Sequence, residues 1–161
     1  MQAARYQFEP MTANDLPLVR QWLNTPHVAK WWDGADEFEL ISGDLDHPDM
    51  AQFIVACGGQ RFAYLQCYNL SAWNTGFGSH PQGTRGLDQF IGEANMLDRG
   101  HGSAFIREFT EQLFAQGTPR VVIDPDPANA RAIRAYEKAG FRRSNIVDTP
   151  DGPALLMVRT P

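Results

Sequence analysis

Residues 126–141 read Asp-Pro-Ala-Asn-Ala-Arg-Ala-Ile-Arg-Ala-Tyr-Glu-Lys-Ala-Gly-Phe, and this stretch decides the fold. Asp126 and Pro127 supply an N-cap and a first-turn proline for a helix through Ala139, which Gly140 ends. Asn129, Ile133 and Tyr136 are spaced by four and three, so they share one helical stripe. By periodicity alone Ile133 and Tyr136 read as core and Asn129 as a satisfied capping residue. Just upstream, residues 121–123 form an all-apolar run of the buried parallel-strand kind. Further back, Gly100-His101-Gly102-Ser103 leads into an amphipathic helix with Phe105, Ile106, Phe109 and Leu113 on one face and Gly117 as its stop. Downstream, strands over 141–147 and 154–158 are turned by Thr149-Pro150-Asp151-Gly152.

The N-terminal half completes the pattern. Residues 5–10 read as a first strand, and Met-Thr-Ala-Asn-Asp opens a helix with Leu16, Val19, Trp22 and Leu23 on one face. Thr12 or Asn14 caps it; Pro17, tolerated only in a first turn, favours Asn14. A second short helix follows Pro26, over 27–32. Residues 51–57 and 61–69 are β-type runs joined by Gly58-Gly59-Gln60 as a hairpin. Residues 70–84 break every periodicity with Gly, Pro, Ser and Asn and read as a long exposed loop, a feature that is often functional. Residues 85–94 form another strand, in which Gly92 suggests a bulge or a close backbone approach. The order β-α-α-β-β-β-α-β-α-β-β describes an α/β fold, a mixed central sheet of about six to seven strands flanked by helices.

At 161 residues one core and a single domain over 1–161 are expected, and 43% hydrophobic residues suffice to build it. The charge of −5, from 14 Lys and Arg against 19 Asp and Glu, is the wrong sign for a general nucleic-acid binder. No apolar run exceeds five residues (53–57 and 154–158), so no membrane span is expected. The N-terminus lacks a signal-like apolar stretch, which points to the cytoplasm and to Cys57 and Cys67 as free thiols. The four histidines are too dispersed for a metal site, and none is expected.

Arg99-Gly100-His101-Gly102-Ser103, between a strand and a helix, can form an anion site, because backbone N–H groups face outward at the positive helix end. A plain helix-initiating turn fits the spacing equally well. It is neither a dinucleotide fingerprint nor a P-loop. Together with Asn129-x-x-Ala132-x-x-x-Tyr136-x-x-x-Gly140-Phe141, it resembles the GNAT superfamily of N-acetyltransferases. That superfamily binds acetyl-coenzyme A with a Q/R-x-x-G-x-G loop and a helix of this pattern. Leu97 stands where the family has Gln or Arg.

Within GNAT the chain looks most like the aminoglycoside 6′-N-acetyltransferases. The matches are Trp22-Leu23-Asn24 with His27 and Trp31-Trp32, Arg85-Gly86-Leu87-Asp88-Gln89, Asp124-Pro125, and Thr149-Pro150-Asp151-Gly152-Pro153-Ala154. The resemblance implies that Arg99, Gly100, His101, Gly102, Ser103 and Asn129 bind acetyl-CoA. It implies that Asp88 lies beside the reacting amine, that Asp124 and Asp151 hold other amino groups, and that Trp32 lines the acceptor pocket. His101 is expected in a surface loop, contributing only its N–H, and His27 as structural. Residues 70–84 contain no Asp or Glu, whereas that family carries acids there.

Amide formation from a thioester needs a neutral amine, oxyanion donors and an acid for the departing thiolate. Asp88 can take the ammonium proton directly or through water. Tyr136, with an ordinary pKa of about 10, can protonate a thiolate whose acid has a pKa of about 8.5. Backbone N–H groups near residues 90–93, freed by a bulge at Gly92, would polarise the carbonyl. The expected partner is a cationic primary amine, an aminoglycoside first, and the protein a monomer or homodimer. A polyamine, a siderophore precursor or a protein amine is the alternative acceptor, and a non-catalytic acyl-CoA-binding module the alternative class. Residues 33–49 gather seven acids without Lys or Arg. Such a run is usually a solvated face, and it can also steer cations.

Overall fold

The computed structural model describes residues 5–73 and 75–161. Residues 1–4, on which the expectation of a leaderless N-terminus partly rests, and Asn74 of the long loop lie outside the described residues. The elements are β1 (Tyr6–Pro10), α1 (Leu16–Leu23), α2 (Pro26–Ala29), α3 (Gly34–Gly43), β2 (Met50–Cys57), β3 (Gln60–Asn69) and β4 (Arg85–Ile91). They continue with α4 (His101–Ala115), β5 (Val121–Ile123), α5 (Ala130–Lys138), β6 (Arg142–Thr149) and β7 (Gly152–Arg159). The strands form a seven-stranded mixed sheet in the order β1-β2-β3-β4-β5-β7-β6, in which β4 and β5 are parallel.

The expected element order is corrected by one helix, α3, inside the acidic run. Phe38, Ile41 and Leu45, spaced by three and four, turn into the core, with Ile41 only 1% exposed. Asp33, Asp36 and Glu39 are exposed, so the acids are the solvent face of an amphipathic helix. Asn14 is corrected to Thr12 as the cap of the first helical segment. The Thr12 N–H donates to Asp15 Oδ2 at 2.9 Å, and a 3-10 turn over Ala13–Asp15 precedes α1, which keeps Pro17 in its first turn. The second helix stops at Ala29, short of Trp32.

By chain contacts the fold comprises two compact units, one holding the first three helices with Gln89–Arg99, the other Tyr68–Asp88 with Gly100–Pro161. In the first unit, Val19, Trp22, Leu23, Val28, Ile41, Ile54, Tyr64 and Phe90 build the core. Gly92 lies against it: a Cβ there would come within 2.1 Å of the Trp22 ring. The N–H groups of Gly92 and Glu93 both donate to the Phe62 carbonyl, at 2.7 and 3.2 Å, two residues opposing one, as in a bulge. The Trp22 indole N–H, within the core, donates to Glu93 Oε2 beside the bulge. His27 is structural, its Nε2 bonded to the Ile91 carbonyl at 2.8 Å.

In the second unit, α4 and α5 cover one face of β5 and β7. Arg159 of β7 donates to Thr110 on α4, and Arg107 of α4 donates to the Lys138 carbonyl at the end of α5 (2.6 Å). The loop over 70–84 is anchored rather than wholly exposed: Phe77 and Thr84 are buried, and Trp73 packs edge-on against Tyr68 with centroids 5.5 Å apart. Apolar residues thus hold down a segment that has no periodicity to reveal it.

Candidate active site

The loop at 99–103 starts a helix, as its glycines predict. Gly100 takes a left-handed conformation (φ 77°) at the N-cap of the fifteen-residue α4, and a Cβ added there would meet nothing within 4 Å. Ala104 donates the first helical hydrogen bond, to the Gly100 carbonyl, at 3.2 Å. The N–H groups of Gly102 and Ser103 therefore precede any helical acceptor and lie at the positive end of the helix. This open, glycine-flanked helix start fits the diphosphate of a coenzyme A. His101 departs from expectation: it is the first helical residue and is buried, not a surface loop residue.

The parallel β4–β5 ladder pairs Arg85 with Val121 and Gly86 with Val122, and it ends there although β4 continues to Ile91. Asp88 and Asp124 each lie two residues beyond the Gly86–Val122 pair. By strand alternation both project to the face of Gly86 and Val122. The chain past β5 stays extended, since the Leu155 N–H of β7 donates to the Pro125 carbonyl at 2.9 Å.

Burial, opposed in part by a backbone hydrogen bond and reinforced by the negative charge of Asp151, pushes the Asp124 carboxyl up to about 7. Asp151 sits in the β6–β7 turn, which is pinned by Thr149. Its hydroxyl donates to the Gly152 carbonyl at 2.7 Å and accepts from the Asp151 N–H at 3.1 Å. The structure thus brings Asp124 and Asp151 together, with Asp88 on the matching strand level.

Tyr68 was not singled out by sequence. A Cβ on Gly86 would come within 2.2 Å of its ring, so the glycine exists to admit a tyrosine on the Asp88 face, and Trp73 backs that ring. The signal was present as a glycine inside a strand pattern two residues before an aspartate. Tyr136 lies on the inner face of α5, 5% exposed, its ring tilted against Phe141 at 6.2 Å. The cap of α5 is corrected from Asp126 to Asn129, whose Oδ1 accepts from the Ala132 N–H at 3.2 Å. Asp126 instead accepts from Ala128 N–H in the preceding turn. In the first unit, Trp32 is half-buried and packs edge-on to Phe90 (5.0 Å) and Tyr64 (6.4 Å), and Arg99 is exposed. The expected oxyanion donors are corrected at two positions, because the Gly92 and Glu93 N–H groups are both committed to Phe62.

Residues 11–149, which include the helix-start cradle and the β4–β5 pair, match a family profile described as an acetyltransferase (GNAT) domain. The chain belongs to the GNAT acetyltransferases. Aminoglycoside N(6′)-acetyltransferase type 1 of Klebsiella pneumoniae is 35% identical over 161 aligned residues, covering 93% of this GNAT chain and 80% of the relative. A solved structure of AAC(6′)-Ib in complex with paromomycin and acetyl-CoA is similar with a TM-score of 0.88 at 36% identity, covering 98% of this chain and 94% of that one. The structure of AAC(6′)-Ib with coenzyme A and kanamycin has a TM-score of 0.87 at 36% identity, over 96% and 94% of the two chains. As a GNAT acetyltransferase this protein is an acyl-transferring enzyme. Among the described residues no helix is long and apolar enough to cross a membrane, and no cluster of three metal-ligating side chains occurs.

Proposed function

We propose that the enzyme moves the acetyl group of acetyl-CoA to a primary amine of a cationic small molecule, an aminoglycoside at its 6′-amine, by direct attack in a ternary complex. The observation that carries this reading is the carboxylate set on one face: Asp88 and Asp124 at matching strand levels, with Asp151 felt by Asp124. The negative charge of Asp151 adds to the cost of ionising the partly buried Asp124, a cost that an arriving ammonium group offsets, so the site favours an acceptor with more than one ammonium group. The 35% identity to an aminoglycoside N(6′)-acetyltransferase supports the same acceptor.

Acetyl-CoA supplies the activated acyl group. The N–H groups of Gly100 to Ser103 hold its diphosphate, with Arg99 and Asn129 as further contacts. Asp88 draws the reacting ammonium to the site and takes its proton, directly or through water. Asp124 and Asp151 anchor other amino groups and so fix which amine reaches the acyl carbon. Tyr136 delivers a proton to the departing sulfur. Tyr68 and Trp73 supply an aromatic wall on the Asp88 face, and the family resemblance makes Trp32 a candidate acceptor contact. A single N-acetyltransferase domain over 1–161, acting in the cytoplasm as a monomer or homodimer without nucleic-acid or membrane partners, completes the proposal.

The test is thiol release from acetyl-CoA with kanamycin, with polyamines, and with lysine-containing peptides, together with a kanamycin challenge of cells expressing wild type or Asp88→Asn. Turnover with kanamycin and a survival advantage lost in Asp88→Asn are expected. Turnover with peptides or polyamines alone would move the acceptor to the second reading, which the acid-free residues 70–84 favour. Tight cofactor binding without turnover would leave a binding module.

A further inference from the structure

A groove of about 680 Å³ lies in the second unit between the anchored loop, the start of β5 and the strands β6 and β7. Its size is that of a small-ligand site. Arg120, Arg142 and Arg143 line it with His80, and no Asp or Glu is among the described residues of its wall. This is unusual in a chain of net charge −5. Arg143 is shared with Glu137 at 3.4 Å on the exposed side, whereas Arg120 has no acidic neighbour in the groove.

The Arg120 guanidinium is held by an imidazole. Its terminal nitrogen lies 3.2 Å from His80 Nδ1, while His80 Nε2 lies 2.9 Å from the Phe77 carbonyl. A carbonyl can only accept, so Nε2 carries the proton and Nδ1 accepts from Arg120. The imidazole is therefore neutral and leaves the arginine charge uncancelled. Arg120 Nε is buried with no hydrogen-bond partner, an orphaned charged donor of a kind that is costly to leave unmatched.

The groove is not the acceptor site. Val158 lines it and pairs with Val122, so it shares the sheet face of Asp124. Arg120 stands four residues before Asp124, about 13 Å along the strand. Its charge is opposite to that of the carboxylate set and would repel a polycation.

We propose that this groove binds a small polyvalent oxyanion, clasped by the forked guanidinium groups of Arg120 and Arg142. Phosphoryl and polycarboxylate compounds share that chemistry, and two probes separate them. Calorimetric titration of the full chain with inorganic pyrophosphate and with citrate should show binding of at least one, with Kd weakened about tenfold in Arg120→Gln and in Arg142→Gln. Lys30→Gln, which removes one exposed charge elsewhere, should leave that Kd unchanged. Arg142 is exposed, so its variant still decides the matter if Arg120→Gln fails to fold. Binding of neither probe overturns the proposal. Binding equally strong in both arginine variants assigns the anion to the helix cradle and overturns it too.

Discussion

At the residue scale, Tyr136 and Asp124 make the most specific demands. Tyr136 is buried on α5, and Tyr136→Phe keeps its packing against Phe141 while removing the proton. Steady-state kinetics should show kcat falling by about tenfold or more with the acetyl-CoA KM little changed. An unchanged kcat would remove the acid role. Asp124 titrates near 7 when folded, against about 3.9 in an unfolded chain. Between those values the folded state holds a proton that the unfolded state has lost, so this group's contribution to stability falls as pH rises through that window. Binding an ammonium favours the ionised form, so acceptor KM should fall over the same rise. Thermal melts of the free enzyme and acceptor kinetics from about pH 5 to 8 should therefore run in opposite directions. Asp124→Asn should flatten both.

At the element scale, the caps and the bulge are separable from catalysis. Asn129→Ala removes the bond to the Ala132 N–H and should cost about 1 kcal/mol in urea unfolding. A rise in acetyl-CoA KM beyond that would add cofactor contact to the capping role. Gly92→Ala forces a methyl into the Trp22 ring and should destabilise by about 1–3 kcal/mol. Amphipathic periodicity made α4 and the core stripe of α5 legible in the sequence, because burial of one face repeats every three or four residues. The same rule would have found α3 through Phe38, Ile41 and Leu45, but its seven surrounding acids read first as a solvated run. Asn129 as a cap was legible in principle. Asp126-Pro127 imitates a helix start three residues early, and only the backbone path decides between them.

At the scale of the whole molecule, steering of a cationic acceptor by acid residues predicts that acceptor KM rises with salt more steeply than acetyl-CoA KM. Equal slopes would return those acids to solubility alone. The element order along the chain indicated the fold class, and the motifs at 97–102 and 129–141 carried the family resemblance, because glycine positions and helical periodicity are local. Tertiary structure alone decided which carboxylates meet. It also revealed Tyr68 lying over Gly86, the committed N–H groups at the Gly92 bulge, and three arginines converging on one groove. Those facts depend on strand register and on side chains far apart in the chain; a glycine within a strand marks a close approach, but not which side chain fills it.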